Sequence, residues 1–560
     1  MSGTWQPLSN QPTFGASTML LLTDGTVMCQ DGGSVNWWRL RPNVTGDYVH
    51  GTWSQLAPMH DGRLYYASAV LNDGRVFVSG GEYGGGGGSD INSTEIYDPV
   101  ADSWTQISPP PGWANVGDAP CCVLPDGRLL LGSIFDTRTA IYDPQTDTWT
   151  ASANKGDRSA EETWTLLPDQ TVLTAQCDNH PNSEKYVIPA NSWVNAGVTA
   201  DVDLVESSSI EIGPALLLPD GRVFAVGATG RTALYTPPPI ANQMGTWERG
   251  PDFQHDGGGQ TLGAKDAPGC LLPNGNVLCV AGPVDGVSGD YLAPTYFFEF
   301  DGNSLIRVAD PPNANTVPYA GRMMLLPTGQ VMFAAGSPAI YVYTPSGAPD
   351  PAWKPRITSS PTTVSPLNTY TLHGRQLNGL SQAVSYGDDA SSATNYPLVV
   401  LRSVRTGRVY YCRTFNHSSM GVATGSAIQS TSFAVPSGVE RGDAQLCVIV
   451  NGIASDCVNV RVSDVRWRFS FFDAGILPIL VGSLADGRLW VIGPNGPIPV
   501  EPYPAVAERA KESLSKLVEA VTELRSLGDE LITERNKVNA QLAPAFDPEL
   551  EEFAKNGKKG

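Results

Sequence analysis

One pattern recurs seven times along this chain and limits what it can fold into. An apolar run, a tight turn and a second apolar run appear as LLLTDGTVM, AVLNDGRVFVSGG, CVLPDGRLLLG, TLLPDQTVL, LLLPDGRVFAVG, LLPNGNVLCVAG and LLPTGQVMFAAG. The turn positions Gly25, Gly74, Gly127, Gln170, Gly221, Gly275 and Gly329 lie roughly 45 to 55 residues apart. Each unit reads as a β-hairpin, because such a turn needs positive φ and glycine supplies it without a Cβ clash. Gln170 departs from the pattern and is expected to be strained or to use another turn.

Each hairpin is followed by a third-strand cue such as Tyr97-Asp98-Pro99, Tyr142-Asp143-Pro144, Tyr235-Thr236-Pro237 or Tyr343-Thr344-Pro345. A fourth strand follows at Trp53, Trp104, Trp149, Trp193 and Trp247, each preceded by Ser or Thr. Four short strands make one blade, so residues 1–352 read as a seven-bladed kelch-type β-propeller. Thr4-Trp5 carries the fourth-strand signature ahead of every hairpin and is expected to close the last blade, with Trp353 as the alternative. The fixed place of these tryptophans in each repeat points to packing between blades rather than to sugar stacking.

The composition agrees with an all-β, turn-dense chain: 59 glycines, 45 prolines and only 16% charged residues. Residues 353–462 keep short alternating strands such as FAVPSGV and LCVIVNG but lose the blade motif, and read as an immunoglobulin-like β-sandwich. Residues 463–502 hold a β-like extension, SLADGRLWVIG, and 503–560 a short α-helical tail. In that tail Leu514, Leu517, Val521, Leu524, Leu531 and Val538 fall near heptad spacing, interrupted by Gly528 and Arg535. The helix either packs on its own protein or supports self-association through 503–542.

A net charge of −20 with no Lys/Arg-rich stripe argues against nucleic acid and leaves cations, metal ions and neutral sugars open. The first residues lack a charged region followed by an apolar one, so a cytoplasmic location is expected, with non-classical export as the alternative. The longest apolar stretch, 472–481, is too short to span a bilayer. Nine cysteines show no zinc spacing; Cys121, Cys122 and Cys279 sit on apolar strands and read as reduced core residues. Cys447 and Cys457 flank an Asn451-Gly452 turn: a two-residue loop sets Cys447 opposite Asp456, a three-residue loop sets the cysteines face to face.

In a four-stranded blade the first strand is innermost, so residues nine or ten positions before each turn converge on the channel mouth. They are Ala16, Tyr65, Asp118, Glu161, Glu211, Asp266 and the pair Tyr319-Ala320, with Tyr83 and its following glycine tract, His60, Trp113, Glu162, Asp178, His180, His255 and Asp256 on adjoining loops. Four acids aimed at one opening would repel each other unless they share protons or a cation, and calcium suits such oxygen ligands. Asp118, Glu161, Glu211 and Asp266 are therefore the candidate calcium ligands. Tyr65, Tyr83 and Tyr319 join them as candidate ligand-binding residues.

The strings RLYYASAVLNDGRVFVSGG, PYAGRMMLLPTGQV and FNHSSMG resemble galactose oxidase and glyoxal oxidase, the copper-radical oxidases. The similarity covers residues 1–462 and implies a kelch-type propeller followed by the family's early-set sandwich domain. It also implies copper held by two tyrosines and two histidines, one tyrosine cross-linked to a cysteine. By position Tyr65 matches the cross-linked tyrosine, Tyr319 the second tyrosine and His417 the histidine from the C-terminal domain. Ala320 stands where the other histidine would be, the cysteine position falls near Ala16, and Tyr83 matches the stacking tryptophan.

Losing an imidazole weakens a copper(II) site, and without the cysteine no thioether forms. The leading expectation is thus a non-oxidase ligand-binding or scaffold propeller that takes a sugar, polyol, cation or metal at its acidic mouth and assembles through its tail. The alternatives are a divergent copper-dependent alcohol or aldehyde oxidase using Tyr65, Tyr319 and His417, and a protein-interaction or adhesive propeller. A further enzyme form uses the four acids as general acid and base on a glycan or lactone.

Overall fold

The computed structural model describes residues 3–83, 90–199, 202–284, 291–386 and 392–464, and beyond them the backbone of four strands within 468–500. Seven four-stranded antiparallel blades follow one another along the chain. The second blade shows the plan: Ala67–Val70, Val76–Ser79, Thr94–Asp98 and Ser103–Ile107 pair in that order from the channel outward. Its two inner strands are wholly buried, since neighbouring blades cover both faces, and so they read as unbroken apolar runs. In the seventh blade the outer strand is Thr4–Pro7, with Trp5 opposite Tyr343.

The outer-strand tryptophans hold blade to blade. Trp5, Trp53, Trp104 and Trp149 donate their indole N–H to backbone carbonyls of Ala309, Asn10, Ala57 and Ser108 in the preceding blade. Each also packs on the third-strand tyrosine of its own blade where one is present, as Trp104 on Tyr97 at 5.1 Å and Trp247 on Tyr235 at 5.0 Å. The six turn glycines all have positive φ, and Gln170 takes the same left-handed conformation at φ 63° with no relief from a Cβ.

A second repeat feature lies under these turns. Arg75, Arg128 and Arg222 each pair with the aspartate two positions back, and Arg75 and Arg222 reach on to a carbonyl of the next blade. Blades one and four carry threonine there, and a third-strand cation substitutes. Arg39, opposite Met28, donates to Tyr97 in blade two at 3.2 Å, and Lys185 occupies the equivalent place opposite Leu173. The shorter lysine is fully buried, and neither its Nζ nor Asp169 Oδ2 finds a hydrogen-bond partner. Lys185→Arg should therefore raise stability by about 1 kcal/mol by reaching partners the ammonium misses, read as a shifted urea midpoint.

Residues 356–462 add strands that pair along one continuous path, with Val409–Phe415 shared between two sets. One short strand, Val384–Ser385, leaves this set and pairs with the inner strand of blade six, Gly269–Leu271. The chain thus enters the propeller channel, where about 20 Å3 of space remains around it, room for roughly one water.

The Asn451-Gly452 turn has two residues, with Val450 opposite Ile453, yet Leu446 stands opposite Val458. The return strand carries one extra residue, and that bulge sets Cys457 across from Cys447 in a disulfide with Cα atoms 4.4 Å apart. The other seven cysteines are buried and free.

A second unit begins at Ser463, and in it Arg468–Asp473, Pro478–Ser483, Leu489–Gly493 and Gly496–Val500 make an antiparallel meander. The helical tail expected over 503–560 lies outside the described residues. Helix among the described residues is limited to three-residue 3-10 turns, so none is long and apolar enough to cross a membrane.

Candidate functional site

Three of the ring acids come together at the channel mouth. One carboxylate oxygen from each of Glu161, Glu211 and Asp266 lies within 4.8 Å of the others. Glu161 and Asp266 sit on left-handed turns just ahead of the inner strands, at φ 57° and 42°, which bend their side chains inward. Lys265 Nζ reaches Glu211 Oε1 at 3.1 Å and so puts an ammonium beside the group.

Glu211 Oε2 and Asp266 Oδ1 are buried and receive no hydrogen bond from the described residues. Burial pushes the Asp266 carboxyl well above the usual carboxylate range, and the neighbouring Glu211 and Glu161 charges add to the effect. Such a pair holds either a shared proton or a cation. Asp118, 6% exposed, is not part of this trio; its charge acts on Tyr83, whose phenol is held above its ordinary value first by Glu82, then by burial and by Asp118.

The tyrosines form the rest of the mouth. Tyr65 is on a left-handed turn at φ 46°, Tyr319 in the 3-10 turn Pro318–Ala320, and Tyr83 is 56% exposed. The glycines that follow Tyr83, at 84–88, lie outside the described residues. Between Tyr65 and Tyr319 the structure places two residues that counting along the repeat does not reach. The Arg322 guanidinium stacks 3.7 Å from the Tyr386 ring and 5.4 Å from the Tyr65 ring, and its Nη1 donates to the Tyr319 and Gly321 carbonyls. Tyr386, carried in by the channel segment, donates its hydroxyl to the same Tyr319 carbonyl at 2.5 Å.

His417 is placed elsewhere. Its carbonyl accepts from Asn72 at the turn end of blade two, while Tyr65 stands at the starting end of that blade's inner strand. Its Nδ1 meets Thr431 Oγ1 at 2.9 Å, its ring stacks on Tyr396, and burial drives its pKa down to about 3. The residue expected to complete a copper set with Tyr65 and Tyr319 is thus at the opposite end of the channel. Ala320 offers no imidazole, Cys29 stands inside blade one opposite Met19, and a fixed cation already lies against Tyr65. These residues do not fit copper, which favours imidazole nitrogen. The oxygen-only trio suits calcium better and supplies three of the six to eight ligands that ion takes.

The loop residues have structural partners. His60 Nδ1 and its own N–H meet Glu95, His180 meets Asp203, and Asp178 pairs with Arg158. Glu162 belongs to a cluster the repeat does not signal: Lys155 Nζ lies 2.7 to 3.3 Å from Glu184, Glu162 and Asp157, all four buried, with the Trp193 ring 4.8 Å away. Here the ammonium occupies the centre that a metal ion would need.

Comparison with known proteins agrees on the repeat. Residues 63–111 match the kelch motif. That span runs from just before Tyr65 to the end of blade two. Two F-box/kelch-repeat proteins of Arabidopsis thaliana match at 34% identity over 70 residues and 32% over 104. The matches cover 12% and 18% of this chain, and the chain spans only 14% and 28% of those relatives.

Among solved structures, a fungal alcohol oxidase of the AA5 family in complex with copper aligns over 82% of this chain and 99% of its own, at 16% identity and a TM-score of 0.48. A catalytically inactive virginiamycin B lyase from Staphylococcus aureus with quinupristin aligns over 61% and 99%, at 11% identity and a TM-score of 0.42.

Proposed function

We propose that this chain is a non-oxidase binding and scaffold propeller whose channel mouth takes a divalent cation, or a cationic or polyol ligand held with it, through Glu161, Glu211 and Asp266. One observation carries the reading: three carboxylates share a 4.8 Å space beside Lys265, and the buried Glu211 Oε2 and Asp266 Oδ1 have no donor among the described residues. The cation-stacked Tyr65 and the remote His417 argue for the binding role over alcohol or aldehyde oxidation.

In this reading 1–352 is the binding propeller and 353–462 an immunoglobulin-like early-set module that sends Tyr386 to the mouth. The β-like extension at 463–502 leads to a helical tail at 503–560 that serves assembly.

The test is metal content after incubation with calcium and copper and exhaustive desalting. About one calcium per chain is expected, lost in Glu211→Gln and Asp266→Asn, which remove formal ligands while keeping side-chain shape. Stoichiometric copper, or no retained calcium, would overturn the proposal. The kelch match favours a second reading, in which the blade loops bind a protein partner; those two substitutions would leave partner capture unchanged.

A further inference from the structure

The disulfide hairpin of the C-terminal strands sits at the root of the channel segment. At its tip Asn451 is 7% exposed and grips both legs of that segment. Its Oδ1 accepts from the Leu380 and Ser381 N–H groups at 3.0 and 3.5 Å, and its Nδ2 donates to the Thr394 carbonyl and hydroxyl at 3.2 Å. Packing there leaves no slack: a Cβ on Gly379 would lie 1.8 Å from Asn451 Oδ1, and one on Gly452 would lie 2.7 Å from the Gly329 Cα.

From this grip the chain runs straight to the mouth. Leu271 N–H donates to the Ala383 carbonyl, Val384–Ser385 pairs with blade six, Ser385 Oγ meets Thr163, and Tyr386 reaches Tyr319. The tip itself is weakly tied to its own sheet. Ile453–Ala454 pairs only with Gly442–Val450, Ser455 adds two bonds to Val448, and the disulfide closes the bulge behind them.

We propose that the Cys447–Cys457 disulfide is a redox-sensitive clamp that sets how firmly the channel segment, and with it Tyr386, is held at the propeller mouth. Cys457 is exposed and Cys447 is buried, so a dithiol reductant meets Cys457 first. Its thiolate attacks Cys457 Sγ, the Sγ–Sγ bond breaks and Cys447 leaves as the thiolate. The second thiol of the reductant then displaces Cys457. Two electrons and two protons pass to the protein, which ends with two thiols, while the dithiol becomes a disulfide. Without the cross-link the bulge no longer fixes the return strand, and local opening of the tip then has only its short ladder and its packing on Gly329 to overcome. Asn451 then releases Leu380, Ser381 and Thr394 together.

Amide hydrogen exchange on the full chain tests this, comparing the oxidised protein, the protein reduced with dithiothreitol, and the double variant Cys447→Ser/Cys457→Ser. Exchange at Leu380 and Ser381 should accelerate about tenfold or more in both of the latter, while the inner strands of blade two stay protected. The readout needs no ligand at the mouth, so it stands apart from the calcium experiment.

Unchanged exchange after mass spectrometry shows the bond reduced would overturn the clamp. So would both cysteines alkylating in the oxidised protein, or blade two losing protection along with the segment. Reduction of the unmodified chain keeps the test sound if the double variant fails to fold.

Discussion

Replacing Lys155 with methionine should destabilise the propeller by about 3–5 kcal/mol, because it leaves Glu162, Glu184 and Asp157 buried around a missing cation. The network is otherwise saturated. Glu184 also accepts from Gln176 and the Gly156 N–H, and Glu162 from Trp164 and Thr174. A urea midpoint measured at pH 7 checks the loss, and a change below 1 kcal/mol would show that solvent reaches the cluster.

The same cluster fixes a pH dependence. Burial, against the pull of Lys155, raises Glu162 to about 8 and Asp157 to about 6. Between roughly pH 4 and these values the folded chain binds more protons than the unfolded one. Their contribution is therefore complete below about pH 4 and is lost as pH rises through 6 and then 8, by up to about 1.4 kcal/mol per pH unit for each proton. Glu184, held below its ordinary value by Lys155 and its other donors despite burial, acts in the opposite sense only as pH falls through its folded value. Glu162→Gln should flatten the decline between pH 6 and 8, and Lys155→Met should steepen it.

Arg322→Met should cost about 2–3 kcal/mol, since it removes two hydrogen bonds to backbone carbonyls and stacking on two rings from a side chain only 4% exposed. Arg322→Lys should recover less than half of that, because a point ammonium cannot stack as a plane or match both carbonyls. Thermal melts of the two variants, with near-ultraviolet circular dichroism reporting on the tyrosines, separate this outcome from a generic core defect. Equal stability of the lysine variant and the parent would mean that charge alone matters at this position.

The architecture was legible because each blade must solve the same local problem. A turn with positive φ favours glycine, burial on both faces requires apolar runs, and a tryptophan on the outer strand latches the preceding blade, so one solution recurs around the ring, with Gln170 replacing the glycine of blade four and Leu305–Arg307 lacking the tryptophan in blade six. Even the exception is informative, since Gln170 marks the blade whose third-strand Lys185 has a buried Nζ without a hydrogen-bond partner among the described residues.

Counting back from the turns also reaches Glu161, Glu211 and Asp266, because the length of an inner strand is set by the blade. His417 lies outside that count; only the resemblance to the copper-radical oxidases set it beside the tyrosines, and no local pattern tells which end of the channel a residue from a distant segment will reach. The disulfide was undecidable for a related reason: turn length alone leaves the cysteines out of register, and a one-residue bulge corrects it.

What the chain determines by itself is thus the periodic part: seven hairpins, their turn conformations and the positions that face the channel, all consequences of backbone sterics and local burial. Tertiary structure alone decided what fills the channel and what sits beside the tyrosines. Tyr386 meets Tyr319 across 67 positions of sequence, and Asn451 meets Leu380 across 71. Lys155 finds its three carboxylates only where the exit of blade three packs on blade four. Contacts of this kind depend on how separately formed strands are brought together, and no local periodicity encodes that.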